Sequence, residues 1–213
     1  MPRRFVLLGA SRGLGWATYQ QLNQQNPESL FFLSSRKILS RQRDVSAKTH
    51  LVAQDFSVLP LNLDFLNQIK SFEPTDLIYF AGGGPYGNFA DKKWSDHLWA
   101  LTTTFLYPAE LLHLLLSQNL HFASLENIVV VGSAVAEARP DPKAASYAAA
   151  KHALKGLIDT LQLEPVRPRI QIFSPGYMQT DLLPVNSQPR QEQRAENPVN
   201  VAQKLIAMIE KND

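Results

Sequence analysis

The chain contains no cysteine among its 213 residues. Disulfides, thiolate catalysis and cysteine-ligated metals are therefore excluded. Its five histidines form no HExxH and no other cluster with metal-ligand spacing, so no metal is expected. Long hydrophobic runs are missing too: nothing approaches the roughly 20 apolar residues of a membrane-crossing helix. Met1-Pro2-Arg3-Arg4 precedes an apolar run too short for a secretion signal, which passes straight into a glycine turn. The expectation is a cytoplasmic protein with no membrane partner. Excess charge is scarce as well. A formal net charge of +2 gives no reason to expect a nucleic-acid partner. There is no internal repeat, low-complexity tract or linker. What remains, 45% hydrophobic and 19% charged residues, is the balance of a globular protein. Residues 1–213 are read as a single domain with a substantial core.

Apolar runs alternate with stretches of helical periodicity. Strands are predicted near 4–9, 30–34, 49–54, 76–81, 126–132 and 169–174, and helices near 13–25, 62–71, 92–118, 144–164 and 198–211. The strand segments are mostly continuous apolar runs, as expected where both faces of a parallel sheet are covered. Strand–helix alternation implies right-handed βαβ units. The fold class is α/β: a doubly wound, Rossmann-like parallel sheet of about six strands with helices on both faces. Asn197-Pro198 supplies an N-cap and a first-turn proline for the last helix. Pro165 ends the helix before it, and Pro108 should kink or split 92–118. The polar, proline-containing stretch 182–197 reads as a loop.

Between the first strand and the first helix lies Gly9-Ala10-Ser11-Arg12-Gly13-Leu14-Gly15. A glycine turn in that setting lets backbone amides and a helix N-terminus approach a phosphate. Taken alone, it is equally an ordinary strand–helix turn. The same residues also spell G-x-S-x-G, with Ser11 as the nucleophile of a serine hydrolase. Two facts oppose that reading: only eight residues precede Gly9, and the last histidine, His152, lies inside a predicted helix.

Tyr147 and Lys151 stand four residues apart, one turn along one helix face. A phenol titrates near 10, and a neighbouring ammonium lowers that value. Tyrosine can then protonate a carbonyl oxygen or take a proton from an alcohol. Ser133 ends the run Ile128-Val129-Val130-Val131-Gly132, where its hydroxyl could bond the same oxygen. The bland readings are a surface lysine beside a half-buried tyrosine and a plain strand-terminal serine.

These motifs, in this order, resemble the short-chain dehydrogenase/reductase superfamily over nearly the whole chain. The resemblance implies a nicotinamide cofactor, with Gly9, Ser11, Arg12, Gly13, Leu14 and Gly15 at its phosphates. It implies catalytic roles for Ser133, Tyr147 and Lys151, with Lys151 also on the nicotinamide ribose beside Tyr147. Asp55-Phe56 matches the acidic position at the adenine, and Ala81-Gly82-Gly83 the turn after the fourth strand. Pro175-Gly176, Met178 and Thr180 match the segment at the nicotinamide carboxamide.

The end of the second strand reads Ser34-Ser35-Arg36-Lys37, with no carboxylate to accept a ribose hydroxyl or repel a 2′-phosphate. Arg36 and Arg12 favour a phosphate there, so NADP(H) is expected over NAD(H). The reading is an NADPH-dependent reductase acting on a carbonyl of a small, largely apolar substrate. Tyr86, Phe89, Val135, Tyr177 and Met178 are candidates for an apolar wall. A non-catalytic NADP(H)-binding regulatory protein is the alternative. It is favoured by departures from the family: Trp99-Ala100-Leu101-Thr102-Thr103-Thr104 lacks the usual helix asparagine, and Phe80 replaces another. Thr102 or Thr103 is the expected substitute. The short segment after Thr180 predicts an open site and six strands instead of seven. A homodimer would form through helices 92–118 and 144–164.

Overall fold

Six short apolar segments pair in parallel: β1 (Arg4–Leu8), β2 (Leu30–Ser34), β3 (Thr49–Val52), β4 (Asp76–Tyr79), β5 (Asn127–Val131) and β6 (Arg169–Phe173). The computed structural model describes residues 2–117, 122–134, 142–165, 167–185 and 187–211. The strands lie in the order β3-β2-β1-β4-β5-β6. The order reverses between β1 and β4, and such a switch point opens a crevice at the carboxyl ends of the strands. The helices are α1 (Gly13–Gln25), α2 (Leu63–Ser71), α3 (Trp94–Leu101), α4 (Tyr107–Leu116), α5 (Ala145–Leu161), α6 (Gln188–Gln191) and α7 (Pro198–Glu210).

Alternate strand residues build two cores. On one face Phe5, Leu7, Phe31, Leu33, Ile78 and Val129 pack with residues of α1 and α7. On the other Val6, Leu8, Phe32, Leu77, Ile128 and Val130 pack with residues of α2, α4 and α5. Burial on both faces explains the unbroken apolar runs.

The expected proline break is present. Pro108 has no N–H for the carbonyl four residues back. It sits in the first turn of α4, and Thr102–Leu106 forms a π-helical turn joining α3 to α4. Asn197 caps α7, its side chain accepting from Val199 N at 2.9 Å. The loop expected over 182–197 holds the four-residue helix α6, too short to carry a periodic signal.

At the amino ends of the strands a buried polar chain crosses the sheet. Asp76, 1% exposed, accepts from Arg3 Nε at 3.0 Å, Thr75 Oγ1 at 2.6 Å and Asn127 Nδ2 at 3.1 Å. Asn127 Oδ1 in turn accepts from Arg169 Nη2 at 2.7 Å. A buried carboxylate is tolerable only when its partners replace its hydration. Asp76→Ala removes the acceptor for three donors and is expected to cost about 3 kcal/mol in urea unfolding. An unchanged midpoint would show the chain to be dispensable.

Candidate functional site

The site is built where strands end. Gly9 leaves β1 with φ +94°, and a Cβ placed there would lie 2.5 Å from Ala81 N. Only glycine allows the turns after β1 and β4 to approach this closely. Gly15 serves similarly: its Cβ would lie 2.8 Å from Gly9 O, so α1 sits directly on the turn. Gly9 N donates to Ser34 O at 2.7 Å, tying the turn to β2. Leu14 is buried in the α1 core. Ser11 O accepts from Arg41 Nε at 3.0 Å, and the Arg41 guanidinium lies 4.4 Å from the Trp16 ring centre. Arg41 thus braces the turn, a contact that spacing did not indicate. Among the described residues no histidine hydrogen-bonds Ser11. His97 bonds Ser146 and Phe89, and His152 bonds Ala148 O, so the hydrolase geometry is not formed.

Beyond β2, Ser35 is buried and its hydroxyl has no partner, while Arg36 is exposed and lies 6.0 Å from the Trp99 ring centre. Asp55 follows β3. Burial raises its carboxyl pKa, but bonds from the Ser57 hydroxyl and N–H, with the Arg36 charge, hold it below the usual value. Phe56 departs from expectation. Its side chain is buried in the core against Phe65, Tyr79 and Tyr107, so the ring is not available to a ligand. Arg12 also differs in its surroundings: its Nη1 lies 3.2 Å from Asp181 Oδ2 in an exposed ion pair.

Ser133 follows β5 and hydrogen-bonds Tyr147 near the start of α5. Lys151 is 2% exposed; its Nζ donates to Val131 O at 2.6 Å and lies 5.6 Å from the Tyr147 ring centre. The expected lowering of the phenol is reversed. Burial raises the Tyr147 pKa, and the Ser133 bond only partly offsets it. The same burial disfavours the ammonium and pushes Lys151 down to about 7.

The threonine beside this pair is neither of the two expected. Thr104 Oγ1 accepts from Gly83 N at 3.0 Å and donates to Gly83 O at 3.1 Å. A Cβ on Gly82 would lie 3.3 Å from Thr104 Oγ1 and 3.4 Å from Lys151 Nζ, so hydroxyl and amine flank one point. Thr103 Oγ1 is buried without a partner, and Thr102 belongs to the same π turn. Tyr86, Phe89, Tyr177 and Met178 fall in described segments, whereas Val135 lies outside the described residues.

After β6, Pro175 O accepts from Ala134 N at 2.9 Å, and Gly176 faces open space. The chain then returns to the first turn: a Cβ on Gly13 would lie 3.3 Å from Thr180 Cγ2. The structure therefore assembles Gly9–Gly15, Ser35, Arg36, Asp55, Ala81–Gly83, Ser133, Tyr147, Lys151, Pro175, Gly176, Met178 and Thr180 along the carboxyl ends of the strands.

Lys151 is depressed from 10.5 to about 7, so the unfolded chain binds more protons between these values. Its contribution to stability should rise with pH through that window. Urea unfolding at pH 7 and pH 9.5 is expected to show wild type gaining about 2–4 kcal/mol relative to Lys151→Met. A constant difference would place Lys151 in water.

A search of curated protein sequences finds no match. Among solved structures, 4-hydroxyisoleucine dehydrogenase complexed with NADH superimposes with TM-score 0.83 at 17% identity, covering 97% of this chain and 90% of that one. A short-chain dehydrogenase from Burkholderia cenocepacia J2315 in complex with NADP gives TM-score 0.77 at 24% identity, covering 97% and 89%. BdcA in complex with NADPH gives TM-score 0.77 at 20% identity, covering 97% and 86%. At such identities these likenesses establish the fold. The sequence model described as short chain dehydrogenase matches residues 3–191, a span that reaches from the amino end of β1 to α6. On that match, this chain belongs to the short-chain dehydrogenase family of oxidoreductases.

Proposed function

We propose that the chain is an NADP(H)-dependent reductase of a carbonyl on a small, largely apolar substrate. The observation that carries this reading is the trio at the ends of β5 and α5: a Ser133–Tyr147 hydrogen bond with the Lys151 amine beside the ring. A nicotinamide dinucleotide, when bound, supplies the hydride. The fit of this chain to such a group rests on the crowded turn at Gly9, the unpartnered buried Ser35 hydroxyl and the open space at Gly176. Gly9, Ser11, Arg12, Gly13, Leu14 and Gly15 would hold its phosphates through turn amides and the N-terminus of α1. Ser35, Arg36 and Arg12 would hold the 2′-phosphate, and Asp55 the adenine. Ala81, Gly82 and Gly83 would form the floor, with Pro175, Gly176, Met178 and Thr180 on the nicotinamide side. The relatives crystallised with NADP and NADPH support this choice, while the one crystallised with NADH shows that the fold accepts either.

Tyr147 holds its proton more tightly than a free phenol does, so at neutral pH it is a donor. Protonated, it can supply the proton that carbonyl reduction requires and is not the phenolate base that alcohol oxidation requires. Ser133 would bond the same oxygen and fix its position. Lys151, near pH 7 half-charged, can return a proton towards Tyr147 at little cost. Thr104, flanking Gly82 with Lys151, is placed to orient a proton path.

A second copy of the chain is the proposed protein partner. Trp94 and Leu98 on α3 are 62% and 47% exposed, and Ala149, Ala153 and Gly156 on α5 form a small-residue strip open to close packing. Sedimentation is expected to show a dimer at micromolar concentration, and Trp94→Glu with Leu98→Glu a monomer. A monomeric wild type discards this partner.

Thermal unfolding with NADPH, with NADH and with neither tests the cofactor. Saturation at 100 times the dissociation constant adds about 2.7 kcal/mol, and the larger rise is expected with NADPH. Tyr147→Phe should keep that rise while losing at least about a hundredfold in NADPH oxidation with carbonyl substrates. No rise with either nucleotide contradicts the cofactor site, and turnover retained by Tyr147→Phe removes Tyr147 as donor.

A further inference from the structure

The segment that follows β6 crosses the crevice at the switch point and touches both of its walls. On the β1 side, Thr180 Cγ2 would lie 3.3 Å from a Cβ on Gly13, and Asp181 pairs with Arg12 at 3.2 Å. On the β4 side, Leu182 Cδ1 and the Trp99 ring converge on Gly83, where a Cβ would lie 3.2 Å and 2.8 Å from them. Three consecutive residues thus bridge the turns after β1 and β4, the two neighbours between which the strand order reverses.

The ends of this bridge are secured and its middle is not. Before it, Tyr177 O accepts from Glu196 N at 2.8 Å and Gln179 N donates to Glu196 O at 2.9 Å. Arg190 donates to Thr180 O, at the first residue of the bridge, at 2.7 Å, and to Leu183 O, just past its last, at 3.0 Å. By contrast, the contacts reaching the far wall are weak. The Arg12 and Asp181 side chains are 69% and 74% exposed, and Leu182 is 48% exposed. An exposed ion pair favours one arrangement by no more than about fivefold.

We infer that Thr180-Asp181-Leu182 is a strap latched across the cofactor crevice, with the Asp181 carboxylate occupying Arg12 until a dinucleotide phosphate replaces it. The inference rests on the proposed cofactor reading and adds the control of entry to it. Asp181 is an internal anion: it neutralises the guanidinium of the glycine turn while the strap is down, and frees it when the strap lifts. A dinucleotide reaches the turn only in the lifted form, so its apparent association rate scales with the fraction lifted. The latch is weak enough to open readily and still slow entry measurably.

The test is the association rate of NADPH, followed by quenching of tryptophan emission in rapid mixing. Asp181→Asn is expected to accelerate association about threefold, and Asp181→Asn with Leu182→Ala about tenfold. The absence of cysteine allows a site-specific tether. Arg12→Cys with Asp181→Cys, joined by a bis-maleimide, should take up NADPH at least about tenfold more slowly than the same variant capped with N-ethylmaleimide. This comparison cancels the loss of Arg12 itself. Variants at the wild-type rate, or a tethered protein as fast as its capped control, overturn the strap while leaving the cofactor site standing. If calorimetry detects neither NADPH nor NADH on the wild type, the cofactor reading falls, and the strap with it.

Discussion

The structure turns on one close approach. The backbone leaving β1 passes so near Ala81 that residue 9 has room for hydrogen alone. That contact sets the distance between the turns after β1 and β4, and so the width of the crevice between them. Gly15 extends the constraint by bringing α1 down onto the turn, which aims the first N–H groups of the helix at the opening. Arg41 and the Ser34 carbonyl then hold the turn from the β2 side. Each residue at the crevice inherits its position from this packing.

Electrostatics follow from the same geometry. The face of the sheet covered by α5 is dry, and the two titratable groups that α5 places at the crevice are pushed in opposite directions by it: the phenol up, the amine down. At neutral pH the phenol is neutral and the amine is only partly charged. Their pKa values are driven apart, so the phenol keeps its proton while the amine gives one up readily, an ordering that a solvated tyrosine and lysine do not have. Burial that stabilises the fold therefore also prepares the chemistry, with no ion pair between the two.

Much of this was legible in the sequence, and the exceptions have physical reasons. Strands were readable because a sheet covered on both faces demands unbroken apolar runs, and helices of nine or more residues show their period. The four-residue α6 has no period to show. Three consecutive threonines cannot be ranked by spacing, since a π turn shifts the phase of the helix, and so Thr104 was passed over for its neighbours. Phe56 was assigned from position beside Asp55, but its side chain belongs to the opposite side of that turn, in the core. The sign of the Tyr147 shift depends on desolvation, a property of the folded state alone. Asp181 and Arg12 are 169 residues apart, beyond any local pattern.

The polar chain from Arg3 through Asp76 and Asn127 to Arg169 gives the sheet two unequal ends. It pins β1, β4, β5 and β6 in register at the end far from the crevice, where no ligand chemistry is asked of them. Register need not then be guarded by the loops at the opposite end. Substitutions in those loops therefore leave the strand alignment in place. One pole of the molecule is left with nothing to do but hold still.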